Sequence, residues 1–191
     1  MNQNRTLHQQ FRDGTHQWHA RLDSQPVLSV LARDLNSDEY GLALKALYPA
    51  HKGLEDLIES SAHPELCKYG YKPRHALLAG DLTSMDHILP EQAEPPAIAS
   101  QLCELIGILY VLEGSKLGSQ FICRNIQNQS PQWPISFFNI TKSEAGTWKS
   151  FWLFAEEHLQ TPESIDRSIA SAIKAFEFYI EQIKRIKMPL I

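Results

Sequence analysis

Cysteine is scarce in this chain. The three residues Cys67, Cys103 and Cys123 lie too far apart for a C-x-x-C pair or a zinc set. Their odd number also argues against a disulfide framework and for reduced thiols in the cytoplasm. Long blocks of one charge sign are missing too. With 18 basic and 22 acidic residues dispersed to a net charge of -4, an extended nucleic-acid footprint is not expected. No apolar run approaches the roughly 20 residues of a membrane span. The start, Met1-Asn2-Gln3-Asn4-Arg5, is polar and unlike an export segment, so the expectation is a soluble cytoplasmic protein with no membrane partner. None of the eight histidines has Glu three residues before it, which removes the Glu-x-x-His pairs of a di-iron carboxylate site. Glu113-Gly114-Ser115-Lys116 lacks the G-x-x-x-x-G-K-[ST] pattern of a phosphate loop. Internal repeats and low-complexity tracts are absent as well.

What the sequence does contain is helical periodicity. From Ile98 to Phe121, the residues Leu102, Leu105, Ile106, Leu109, Leu112 and Leu117 recur at intervals of three and four. Ile165, Ile169, Ile173, Phe176, Ile180 and Ile183 do the same near the C-terminus. Both stripes read as core. No strand of period two competes, although Phe137-Phe138 is a short apolar piece. Ser37 is the expected cap of a long helix running toward Ser61, and Thr141 with Glu144 forms a candidate capping box. Thr161-Pro162 opens the last helix. Pro26 parts a first helix, roughly Arg5 to Asp23, from a short second one. Connectors across Gln92–Pro96 and Gln129–Pro134 are too short to separate domains. The expectation is one all-α domain over residues 1–191, a bundle of seven or eight helices able to hold a flat cofactor between facing helices.

Two constellations stand out. In the first helix, His19 and Asp23 are four apart and share a face, so the carboxylate can hold one imidazole nitrogen while the other meets a metal. His16, one turn earlier, is a competing ligand. A histidine in an amphipathic helix is also commonly a surface or core residue, and that reading stays open. In the middle helix Gly114 and Gly118 sit four apart, each costing about 1 kcal/mol relative to alanine. Either a ligand such as a planar macrocycle approaches bare backbone there, or a second helix crosses closely.

The segment Tyr110-Val111-Leu112-Glu113-Gly114-Ser115-Lys116-Leu117-Gly118 resembles the glycine-rich signature of bacterial biliverdin-producing haem oxygenases, the type associated with bacteriophytochromes. Thr15 to Asp23 is similar to the proximal helix of that family, with His19 at the ligand position. Weaker echoes are Tyr48–Glu55 and Phe137-Phe138 leading to Gly146–Phe151. The resemblance implies an all-α haem-oxygenase-like bundle with haem b, both cofactor and substrate, between a proximal and a glycine-bent distal helix. It implies that His19 ligates iron, that Asp23 orients its ring, and that Gly114, Ser115 and Gly118 lie over the face where O2 reacts. Arg12 and, less directly, Lys149 would meet the propionates. The products would be biliverdin, CO and Fe2+, with electrons from an external donor such as a reductase or ferredoxin and a bacteriophytochrome as a possible acceptor of the pigment.

Two positions depart from the signature. Ser119 replaces a second consecutive glycine and narrows the space over the haem edge; Lys116 replaces a small polar residue and is expected either to turn outward or to reach the pocket rim. A haem-binding carrier or sensor that does not degrade haem is the alternative these departures raise. A thiamin-salvage-like hydrolase and a cofactor-free interaction module are further rivals. All depends on one arrangement, the residue-19 imidazole facing a cavity beneath the two glycines.

Overall fold

The computed structural model describes residues 5–97, 101–141 and 147–186. Glu144 of the expected capping box, together with Ile98 and Gly146, lies outside them. Eight α-helices run through the described residues: α1 Leu7–Asp23, α2 Pro26–Ser29, α3 Ser37–Ser60, α4 Pro64–Tyr69, α5 His75–Ser84, α6 Leu102–Gln129, α7 Thr147–His158 and α8 Pro162–Arg185. A 3-10 turn, Val30–Ala32, follows α2. No strand occurs among the described residues, as the periodicity predicts.

Helix ends follow local chemistry. Thr6 caps α1 in a reciprocal box with Gln9, and Thr161 caps α8 ahead of Pro162. The expected cap of α3 shifts by one residue. Asn36, not Ser37, accepts from the Glu39 N–H while the Glu39 carboxylate answers the Asn36 N–H. The box needs its carboxylate three residues after the cap, and only Asn36 has Glu at that spacing. Gly70 ends α4 in the left-handed region at φ 73°, where a Cβ is strained.

The most extensive helix pairing is α6 against α8. Gly107 makes it possible: a Cβ there would stand 2.0 Å from the Ser168 carbonyl oxygen and 2.9 Å from the Ala172 nitrogen. Gly14 does the same for α1, where a Cβ would meet Ile169 Cγ2 at 2.7 Å. Around these crossings Phe11, Leu54, Leu105, Leu109, Leu112, Phe151 and Phe176 form one core cluster. Tyr40, Leu44, Leu78, Leu82, Ile126, Phe137 and Phe138 form a second. Of the two predicted stripes, Leu105, Ile106, Leu109 and Leu112 are fully buried, but Leu117 is 48% exposed. The reason lies in the space beside it.

Candidate functional site

A cavity of about 610 Å³ opens between α1 and α6, within the size range of cofactor pockets. His19, Leu22 and Asp23 of α1 line one side. Val111, Gly114, Ser115, Gly118 and Ser119 of α6 line another, and Phe137, Phe138, Trp148 and Phe176 contribute aromatic wall. Leu117 and Phe121, 48% and 61% exposed, also line it, so their exposure is that of uncovered cavity lip. The lining is mainly apolar, and no Lys or Arg belongs to it among the described residues.

The imidazole of residue 19 and the two glycines thus share one cavity. His19 Nδ1 lies 3.0 Å from Asp23 Oδ2, and its side chain, 62% exposed, lines the cavity. The hydrogen bond to Asp23 raises the pKa of His19, burial opposes this, and the Asp23 charge adds to the rise. Across the cavity α6 runs unbroken through both glycines. A Cβ at Gly118 would meet nothing within 4 Å; one at Gly114 would reach only the Trp148 ring, at 3.6 Å. Helix crossing therefore explains Gly107 and not this pair. The bare backbone faces open space of ligand size.

Ser115 has no free hydroxyl proton to offer. Its Oγ donates to the Leu112 carbonyl at 2.7 Å and accepts from Arg74 Nη2 at 2.7 Å. Ser119, also in the wall, donates to the Ser115 carbonyl at 3.0 Å and is buried. The expected propionate partners do not line the cavity. Arg12 is exposed, its Nε 3.6 Å from Asp13, and Lys149 is exposed beside Trp148. Arg12 shares the His19 face of α1 but sits two turns away, about 10 Å along the axis. His16 is likewise exposed and outside the wall.

Lys116 neither turns outward nor reaches the rim. It is buried, 2.9 Å from Glu113 Oε2, with its ammonium 5.2 Å from the Tyr71 ring centre. Two residues along a helix is a rotation of about 200°, so Lys116 points away from the Gly114–Gly118 face. Together with Tyr69, Lys72, Arg74 and Thr147 the pair lines a separate polar cavity of about 180 Å³.

A buried polar cluster closes the main cavity and was not anticipated as a site. His51 and Tyr179 both line the wall, with His51 Nδ1 2.5 Å from the Tyr179 hydroxyl. Behind them Glu55 accepts from the Tyr71 hydroxyl, the Arg74 N–H and the His75 N–H and ring, at 2.7 to 2.8 Å. His51 Nε2 lies 2.9 Å from Glu55 Oε1. Burial pushes His51 down, against the pull of Glu55. Burial works to raise Glu55, but His51, Tyr71 and the Arg74 N–H outweigh it and hold the carboxyl well below its ordinary range. Burial, with Glu55 nearby, pushes Tyr179 far up, so it stays a hydroxyl. The i, i+4 spacing of His51 and Glu55 was the available signal. Tyr179 is 128 residues from its partner and had none.

A sequence model described as heme oxygenase matches residues 5–185. The chain belongs to the haem oxygenase family. A curated heme oxygenase of Xanthomonas campestris pv. campestris (strain 8004) is 29% identical over 111 residues, which is 57% of this chain and 66%, just under two thirds, of that relative. Among solved structures, the haem oxygenase of Leptospira interrogans superposes with a TM-score of 0.75 at 17% identity, covering 95% of this chain and all of that one. Heme oxygenase-1 of the cyanobacterium Synechocystis sp. PCC6803, solved in complex with heme, gives 0.73 at 16% identity, covering 95% and 92%. The NO- and CO-bound enzyme of Neisseria meningitidis gives 0.71 at 21% identity, covering 96% and 92%. At these identities the structures establish the haem oxygenase fold. No helix among the described residues is long and apolar enough to cross a membrane.

Proposed function

We propose that this protein binds haem in the α1–α6 cavity and degrades it to biliverdin, CO and Fe2+. Membership of the haem oxygenase family supports the reaction. The observation that carries the site is the accessible, carboxylate-held imidazole of His19 opposite the side-chain-free positions Gly114 and Gly118. These residues fit a flat iron macrocycle: one nitrogen to ligate, an apolar wall for the ring, and bare backbone above it. Haem supplies the redox chemistry with O2 and electrons from an external donor, a reductase or ferredoxin.

The chain's own residues do the rest. Asp23 fixes the tautomer of His19 so that Nε2 faces the cavity. Gly114 and Gly118 keep the reacting face clear, and Ser115 and Ser119 shape it while their hydroxyls stay engaged with backbone carbonyls. Arg12 and Lys149 are proposed to meet the propionates by reaching over the rim, because the wall holds no cation among the described residues. A proton at the far wall would be held at Tyr179 Oη, which donates across the 2.5 Å contact to His51 Nδ1 while His51 Nε2 faces the Glu55 carboxylate. A bacteriophytochrome is proposed as acceptor of the pigment.

Hemin added to purified protein should give a Soret band, which reductant and O2 should convert to biliverdin absorption. His19→Ala should remove axial ligation and most turnover. A Soret band that never bleaches would favour a non-degrading haem carrier, and an unchanged spectrum and rate in His19→Ala would reject the ligand.

A further inference from the structure

Arg74 presents an unusual electrostatic situation. Its side chain is 2% exposed, yet no carboxylate lies within ion-pairing distance of its guanidinium among the described residues. The neighbouring carboxylates are committed elsewhere. Glu55 accepts the Arg74 backbone N–H and faces His51 and His75, Glu113 pairs with Lys116, and Asp81 accepts the Ser136 and Phe137 N–H groups. Among the described residues the guanidinium itself meets only neutral groups. Nη1 donates to the Phe137 carbonyl at 3.1 Å, Nη2 donates to Ser115 Oγ at 2.7 Å, its carbon lies 4.6 Å from the Phe137 ring centre, and Nε is buried without a partner.

A buried guanidinium with no carboxylate in contact among the described residues is expensive, and its field is weakly screened. Arg74 is placed where that field has somewhere to act. It does not line the large cavity, but both Ser115 and Phe137, the groups it touches, do. The charge therefore sits one side chain behind the glycine-bearing wall.

We propose that Arg74 is a positioning residue that biases the distal half of the cavity toward negative charge, favouring anionic over neutral ligands on the haem iron. It acts through Ser115 and Phe137 and does not touch the ligand. With haem in the cavity, a preorganised positive field on that side would favour negative charge at the glycine-bearing wall. The inference rests on the haem-binding reading above.

The test measures azide binding to the ferric complex and carbon monoxide binding to the ferrous complex in Arg74→Gln and Arg74→Lys. Glutamine can keep a donor toward Phe137 without the charge; lysine keeps the charge without the fork. Azide affinity should fall ~10- to 50-fold in Arg74→Gln, the size expected of one charge several ångströms away at an effective dielectric constant near 20. It should stay within a few-fold of wild type in Arg74→Lys, and carbon monoxide affinity should stay level in both. Equal losses of azide and carbon monoxide would make Arg74 a structural support and overturn the proposal. So would unchanged azide affinity in Arg74→Gln. Wild-type protein that binds no haem would overturn the function proposed above and this inference with it, whereas a wild-type complex indifferent to residue 74 overturns the inference alone.

Discussion

Two stretches of one helix use the same residue for opposite reasons. In the first half of α6, Gly107 is a glycine because the backbone of α8 occupies the place of its side chain. Around its middle, Gly114 and Gly118 are glycines although the protein leaves the space beside them open. Glycine in a helix is unfavourable in both cases, but only at Gly107 does packing within the protein offset it. At Gly118 nothing in the folded chain does, and what stands beside it is the cavity. Gly80 of α5 also has nothing beside it, so an open helical glycine points to a ligand only where, as at Gly118, it lines a cavity of ligand size.

The largest expected effect breaks the comparison at its packed end. Gly107→Ala forces a methyl into backbone atoms of α8, which cannot rotate away, and should destabilise by about 3 kcal/mol or more. In a domain of this size that is a melting temperature lower by ~6–12 °C, read by circular dichroism. A variant that melts like wild type would mean the crossing is looser than described.

Gly118→Ala sharpens the contrast because its sign is opposite. With open space beside it and a better helix former in place, the haem-free protein should gain about 1 kcal/mol, while haem affinity falls. Gly114→Ala should gain less, since its methyl meets the Trp148 ring. A haem-free Gly118→Ala protein that melts lower than wild type would contradict the open-cavity reading.

The smallest effect tests the opposite wall. His19 titrates above the usual 6.5 in the folded protein because Asp23 favours the imidazolium. Iron binds only the neutral ring, so protons compete for it. Below the His19 midpoint, haem affinity through this residue should fall up to tenfold per pH unit, and above that midpoint it should level off. Asp23→Asn should move the midpoint down in histidine NMR of the haem-free protein; an unmoved midpoint would show that the 3.0 Å contact carries no charge coupling.

Much of this was legible in the residues. The i, i+3, i+4 stripes located α6 and α8, and Pro26 and Pro162 marked helix starts, because periodicity and capping act over a few residues. The His19–Asp23 pair was readable for the same reason. The cap of α3 was misplaced by one position because Ser37 was weighed without its partner, and the carboxylate at Glu39 decides in favour of Asn36. Lys116 was misjudged because its direction depends on where Glu113 and Tyr71 stand, not on the signature around it.

By itself, then, the order of residues determined helix positions, the His19–Asp23 pair on α1 and the presence of a side-chain-free stretch on α6. Each of these is set by neighbours within one or two turns. Which glycine faces a helix and which faces a cavity was decided only when α8 packed on α6. The same holds for the convergence of Arg74, Ser115, His51 and Tyr179 from four helices or their edges. Contacts between groups 41 or 128 residues apart leave no periodic trace, since they arise from the angle and depth at which whole helices dock.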